Sequence, residues 1–281
     1  MSDGEKAVLI TGCSTGIGRA TARQLAALSP YTVYATARDA GALAELEATG
    51  CRTLALDVCD EDSMTAAVAA VEADAGAVWA LVNNAGYSQS GAVESIPLES
   101  VRKQFETNVF GLLRMCQLVL PKMRERRDGR IINIGSMGGK LTFPGGGIYH
   151  ATKYALEAIS DAMRWELAGF GVDVVLIEPG LITTSFGATA HGSVDAAEDG
   201  PYDEFNRGVA AATAAVYEGP MRHLGGGPEV VAKRIEKALG ASNPRPRYTV
   251  TASAKLSIGQ RKLLSDRMWD RLMTTQFKRP R

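Results

Sequence analysis

Seven short apolar or β-branched runs, at residues 7–11, 32–37, 53–57, 80–83, 130–135, 172–178 and 248–251, alternate with longer stretches at 17–28, 40–49, 61–75, 98–126 and 149–169. Apolar residues recur near helical spacing in the longer stretches. Strands that read as near-continuous apolar runs are buried on both faces, and helical crossovers between them impose parallel pairing. The pattern therefore predicts an α/β fold, a doubly wound parallel sheet of about seven strands with helices on both faces. Ligands of such sheets bind beyond the carboxyl ends of the strands, where the winding reverses. Polar and glycine-rich clusters follow the first, fourth, fifth and sixth runs, so the chemistry is expected along one edge.

At 281 residues the chain fits one such domain, 1–281, provided that some of its length lies outside the sheet. Residues 184–227, rich in Ala and Gly, read as a helical flap over the substrate site. Residues 252–281 read as a basic amphipathic extension, with Leu256, Leu263, Leu264, Met268, Trp269, Leu272 and Met273 among Arg and Lys. The 31 basic and 31 acidic residues cancel, which leaves no global field for nucleic acid. The stretch 245–281 nevertheless carries a local net charge of +8, and the remainder −8. Its plain reading is a helix packed on the domain through Leu263, Leu264, Met268, Leu272 and Met273; the sharper one is peripheral contact with an anionic membrane. Cys13, Cys51, Cys59 and Cys116 show no C-x-x-C pairing and no secretory leader precedes them, so a reducing cytoplasm is expected. Apolar runs such as 174–177 are far short of the ~20 residues of a spanning helix. With three histidines scattered at 150, 191 and 223, no metal site is expected.

Gly12, Gly16 and Gly18 lie in a turn, Thr11 to Gly18, that leaves a strand and enters a helix. Glycines in that setting let the backbone approach a pyrophosphate at a helix N-terminus, although the same turn can serve close packing. Tyr149 and Lys153 stand four residues apart, thirteen after Ser136. On a helix they share one face, and a neighbouring ammonium makes the phenolate easier to reach from an unperturbed pKa near ~10. Singly, Ser136 reads as a turn residue, Tyr149 as a packed ring and Lys153 as a solvated charge. His150 gains nothing from its place beside Tyr149.

The set as a whole resembles the short-chain dehydrogenase/reductase family, in its form with Thr-Gly-x-x-x-Gly-x-Gly and Tyr-x-x-x-Lys. Asp57-Val58, Asn83-Asn84-Ala85-Gly86, Asn108, Ser136, Tyr149/Lys153 and Pro179-Gly180 match in order and spacing over residues 7–184. The resemblance implies a Rossmann-like fold and a nicotinamide cofactor. It makes Tyr149 the general acid or base, Ser136 a hydrogen-bond donor to the same oxygen, and Lys153 the group that tunes Tyr149 and grips the ribose. The resemblance also implies that Asn108 holds a water linking Lys153 to solvent. Cofactor contacts are implied for Gly12, Ser14, Thr15, Gly16, Ile17, Gly18, Arg38, Asp57, Val58, Asn84, Ala85, Gly86, Tyr149, Lys153, Pro179, Gly180, Ile182 and Thr184. At the end of the second strand Ala37 stands where NAD enzymes place an acid, and Arg38 suits a 2′-phosphate. NADP(H) is therefore preferred, with NAD(H) open through Asp39.

The closest look is to hydroxysteroid and retinol dehydrogenase-like members, which implies a hydrophobic alcohol or ketone. Tyr87, Ser136, Met137, Leu141, Phe143, Pro144, Tyr149, Leu181 and Phe186 or Met221 are its expected pocket. A homodimer or homotetramer through helices 98–126 and 149–169 is expected. A ketoacyl-thioester reductase shares every catalytic residue and is the alternative; a non-catalytic nucleotide sensor would lose the Tyr/Lys pair. Sugar-nucleotide epimerases differ in glycine spacing.

Overall fold

The computed structural model describes residues 6–28, 30–184 and 200–280, the side chains at 217, 218, 220 and 221 excepted. Strands β1 (Lys6–Ile10), β2 (Tyr31–Ala37), β3 (Arg52–Ala55), β4 (Ala80–Asn83), β5 (Gly129–Ile134), β6 (Val172–Pro179) and β7 (Arg247–Val250) form one sheet in the order β3-β2-β1-β4-β5-β6-β7. Every pairing is parallel, with Val8 opposite Val33 on one side and Ala80 on the other. Alternate residues of a strand face opposite sides. Val8 and Ile10 accordingly enter the core under α1 (Gly16–Ala26), while Ala7 and Leu9 enter the other. The winding reverses between β1 and β4, which opens a crevice at their carboxyl ends.

The remaining helices are α2 (Ala44–Glu47), α3 (Glu61–Ala75), α4 (Leu98–Phe105), α5 (Gly111–Arg126), α6 (Gly147–Ala168), α7 (Asp203–Glu218), α8 (Pro228–Gly240), α9 (Ala252–Leu263) and α10 (Asp266–Thr274). Helix α3 spans the expected residues because its ends are well marked. Asp60 accepts the Ser63 N–H at 2.9 Å, Glu61 and Asp62 face the positive end of the dipole, and Gly76 leaves the helix at φ +81°.

Three expectations need correction. The helix expected at 40–49 is a 3-10 turn, Ala40–Leu43, followed by the single turn of α2, because the Asp39 carboxylate captures the Gly41 N–H and starts the tighter turn. The helix expected at 98–126 is interrupted by a π-turn at Glu106–Phe110 that separates α4 from α5 and carries Asn108. β3 ends two residues early, since the Asp57 N–H is bonded to Ser63 Oγ rather than to a strand.

The C-terminal extension is helical, but its packed residues differ from those expected. Trp269 and Met273 are buried with Leu141 and Ile258, and Leu264 and Leu272 pack partly against them. Leu263 and Met268 face outward. Residue 269 lies one helical turn from 273, so Trp269 and Met273 define the inward face and leave position 268 outside it. No helix among the described residues is long and apolar enough to cross a membrane.

Candidate active site

The glycine turn is shaped by close approach. Gly12 and Gly16 have φ of +72° and +56°, and a Cβ on Gly18 would lie 2.4 Å from the Gly12 carbonyl oxygen. Thr11 and Asn84 brace the turn from both sides. Thr11 Oγ1 accepts the N–H groups of Asn84 and Ala85 at 3.0 Å each, and Asn84 Nδ2 donates to the carbonyls of Thr11 and Gly12 at 2.8 and 3.0 Å. The N-terminus of α1 has no acidic residue in its first turn, so its dipole favours an anion. Thr184 reaches the same place, its Cγ2 lying 3.4 Å from where a Cβ on Gly16 would be. Ser14, Thr15 and Ile17 belong to this turn by chain position. Backbone shape, helix end and small residues together fit a dinucleotide phosphate cradle.

Arg38 is exposed at the end of β2, and its side chain makes no hydrogen bond or ion pair among the described residues. Asp39 is already used by the Gly41 N–H. Asp57 Oδ1 accepts the Cys59 N–H at 2.9 Å, and buried Val58 packs so tightly on α5 that a Cβ on Gly111 would meet its carbonyl at 2.3 Å. Gly86 borders Asn108. Across the crevice, Gly180 abuts Thr251 and Ser253, Leu181 donates its N–H to Ser253 Oγ at 3.1 Å, and Ile182 pairs with Gly226. Thr251, a β-branched residue at φ +82°, is a strained position beside Pro179-Gly180.

The catalytic candidates converge beyond β5 and at the start of α6. Ser136 is extended and half-buried, and its Oγ accepts the Gly138 N–H at 3.0 Å. Tyr149 is half-buried in the first turn of α6. Lys153, one turn on, is buried; its Nζ lies 5.7 Å from the Tyr149 ring centroid and donates to Ile134 O at 2.8 Å, two residues before Ser136. One ammonium thus ties the strand end that leads to Ser136 to the helix that carries Tyr149. Burial lowers the Lys153 pKa to about 8, because the charged form is stripped of water. Asn108 is fixed by its side-chain amide: its Nδ2 donates to Tyr87 O and Thr152 Oγ1, and its Oδ1 accepts the Tyr87 N–H.

Of the expected pocket wall, Met137 and Phe143 are partly buried against the C-terminal cluster. Leu141 is fully buried beneath the C-terminal helices and is a core residue there, a correction to its expected place. Leu181 is also buried. Phe186 and the side chain of Met221 lie outside the described residues.

Sequence reading missed three supports. His150 is buried between Gly138 and Gly146, at both of which a Cβ would lie 2.6 Å from its ring. Its Nδ1 accepts the Phe143 N–H at 3.3 Å, and burial pushes its pKa down to about 4, so it braces the loop as a neutral ring. Thr11 is the second. The third is an ionic bridge: Glu157 accepts from Lys140 at 2.5 Å and from Arg247 at 3.1 Å, and Arg247 also binds Asp161 at 2.6 Å. Thr11 opens the glycine motif and glycines flank His150, so the sequence carried a signal for both; the ionic bridge offered none.

A domain model described as short chain dehydrogenase matches residues 6–193. The chain belongs to the short-chain dehydrogenase/reductase family and is an oxidoreductase of that family. An NADPH-dependent 3-dehydrocapnine reductase of Ornithobacterium rhinotracheale is 33% identical over 280 residues, covering 96% of this chain and 97% of the relative. Retinol dehydrogenase 8 of Bos taurus is 33% identical over 257 residues, covering 87% and 81%. The solved structure of a short-chain dehydrogenase from Streptomyces avermitilis superposes with a TM-score of 0.80 at 33% identity, over 98% of this chain and 96% of that one.

Proposed function

We propose that this chain is an NADP(H)-dependent oxidoreductase that interconverts a carbonyl and an alcohol on a hydrophobic small molecule, with Tyr149 as general acid/base. The observation that carries this reading is the Lys153 ammonium, buried, facing the Tyr149 ring and bonded to the strand end before Ser136. A bound nicotinamide supplies the hydride in reduction and accepts it in oxidation. The Tyr149 phenol gives its proton to the carbonyl oxygen as negative charge develops there, and Ser136 donates a hydrogen bond to the same oxygen. The Lys153 charge favours the phenolate left behind. Arg38, unpaired and exposed, supports a 2′-phosphate, as does the NADPH dependence named for the Ornithobacterium relative. Met137 and Phe143 support a hydrophobic substrate, as do the names of the two relatives. A homodimer or homotetramer is part of the same reading. On α6 the exposed Tyr154, Ala158 and Trp165 share a stripe, with Trp165 77% exposed, as a helix-packing dimer requires; a monomeric mass by light scattering would exclude it.

The test is NADPH and NADH consumption over steroids, retinoids, aliphatic and aromatic ketones and acyl thioesters. Turnover is expected with hydrophobic ketones and with NADPH preferred; acyl thioesters as best substrates would favour the ketoacyl reductase reading. Tyr149→Phe should lower kcat by roughly a thousandfold, with cofactor Kd held, since only the exchangeable proton is lost. Near-normal kcat in that variant would remove Tyr149 from the mechanism. Equal kcat/KM with NADPH and NADH would remove Arg38.

A further inference from the structure

Helices α9 and α10 present two chemically different faces. Inward, Trp269 and Met273 are buried, the Trp269 indole N–H donates to Thr142 O at 3.2 Å, and its ring lies 6.1 Å from that of Phe143. Outward, Leu256, Leu263 and Met268 are 48%, 86% and 51% exposed. Leu256 and Leu263 are seven residues apart and lie on one side of α9. Leu263 and Met268 flank the corner at Leu264-Ser265 where α9 gives way to α10.

Cations surround these side chains. Lys255, Lys262, Arg267 and Arg271 are exposed, and their side chains make no ion pair or hydrogen bond among the described residues. Arg261 and Lys278, by contrast, are neutralised by Asp266 and Glu204. A single exposed leucine needs no explanation. Three large apolar side chains beside four unneutralised cations, on helices that carry five basic residues against Asp266 and Asp270, have the character of a surface that enters a lipid boundary.

We infer that the α9–α10 corner docks on an anionic lipid bilayer, with Leu263 and Met268 entering the headgroup boundary and the four cations facing lipid phosphates. Charge complementarity selects the anionic surface, and the exposed apolar side chains select lipid over a polyanion that offers phosphates alone. The inward face of the same helices packs on Leu141 and Phe143, in the loop between Ser136 and Tyr149. Docking therefore sets that loop beside the membrane. Delivery of a lipid-soluble substrate to it rests on the oxidoreductase reading; the docking does not.

Co-sedimentation of the full chain with vesicles tests the docking without any turnover. Phosphatidylcholine vesicles containing about one-third phosphatidylserine should bind the protein at low salt roughly tenfold better than phosphatidylcholine alone, and the binding should fade as salt screens the cations. Leu263→Ser with Met268→Ser, and separately Lys262→Ser with Arg267→Ser, should each reduce binding by about tenfold. All four positions are exposed, so an unchanged Tm confirms that the fold is kept. No sedimentation at low salt overturns the inference. So does binding that survives the Leu263/Met268 pair unchanged, which would identify a simple polyanion surface.

Discussion

The cofactor cradle and the catalytic support hold their shapes by opposite means. Around Gly12 to Gly18 the structure is fixed by backbone and neutral groups: Gly18 with no room for a Cβ, Gly12 and Gly16 at positive φ, and Thr11 and Asn84 bonded across the crevice. Behind Tyr149 it is fixed by buried charge. Lys153 is bonded to a carbonyl, and Glu157 bridges Lys140 of the Ser136 loop to Arg247 of β7. A cradle that must accept an anion stays free of fixed negative charge. The helix that carries Tyr149, the general acid/base of the proposed reaction, is placed among ammonium and carboxylate groups instead.

If steric shape dominates the first region, Gly18→Ala should have the largest effect. Its methyl would meet the Gly12 carbonyl at 2.4 Å and Asn84 Nδ2 at 2.6 Å, so the turn must open. Cofactor Kd should rise by about a hundredfold, the scale of a misplacement near 1 Å. Calorimetry or NADPH fluorescence measures it, and a variant that binds as tightly as the parent would show that the cradle is not set by packing. Gly50→Ala, at a position with open space around it, is the control; its cost should be confined to stability, through φ +91°.

The ionic region should respond in stability first. Arg247→Met leaves Glu157 and Glu178, both buried, without their shared cation. Breaking a buried ion pair costs about 3 kcal/mol, and the partial exposure of Arg247 puts the expectation at or below that figure. Burial and the nearby Glu178 already raise the Glu157 pKa, while Lys140 and Arg247 oppose the rise. Removing Arg247 should raise it further. Denaturation should then show a variant whose deficit widens as pH rises through the Glu157 titration, because a buried carboxylate left with Lys140 alone is tolerated less well when ionised. A deficit independent of pH would mean that Arg247 acts by packing alone.

The same contrast explains what the sequence disclosed. The seven parallel strands and the cradle were legible because glycine spacing and apolar periodicity are local, and Tyr149/Lys153 because four residues on a helix are one turn. The ionic bridge joins positions 140, 157, 161 and 247, which no window brings together. The π-turn at Asn108 was hidden because residues 98–126 keep helical apolar spacing through it. Leu141 misled for a related reason: its position after Ser136 points to a pocket, while its neighbour is the distant Trp269.

The smallest effect expected separates the two roles of Lys153. Its folded pKa of about 8 lies below the ~10.4 of an unfolded lysine, so below pH 8 both states are charged and the full desolvation penalty is present. Between about pH 8 and pH 10.4 the unfolded state binds more protons, and stability must rise with pH. From about pH 8 to about pH 9.5 the cofactor-free protein should gain about 1.5 kcal/mol relative to Lys153→Met, read from denaturant midpoints at each pH. Over the same interval the ammonium assigned to tune Tyr149 in the proposed mechanism is being lost. Stability and the charge available to tune Tyr149 should thus move in opposite directions, as the proposed role of Lys153 requires. If the parent and the variant run parallel through that interval, Lys153 keeps an ordinary pKa in the folded chain, and its hold on Tyr149 would then extend undiminished above pH 9.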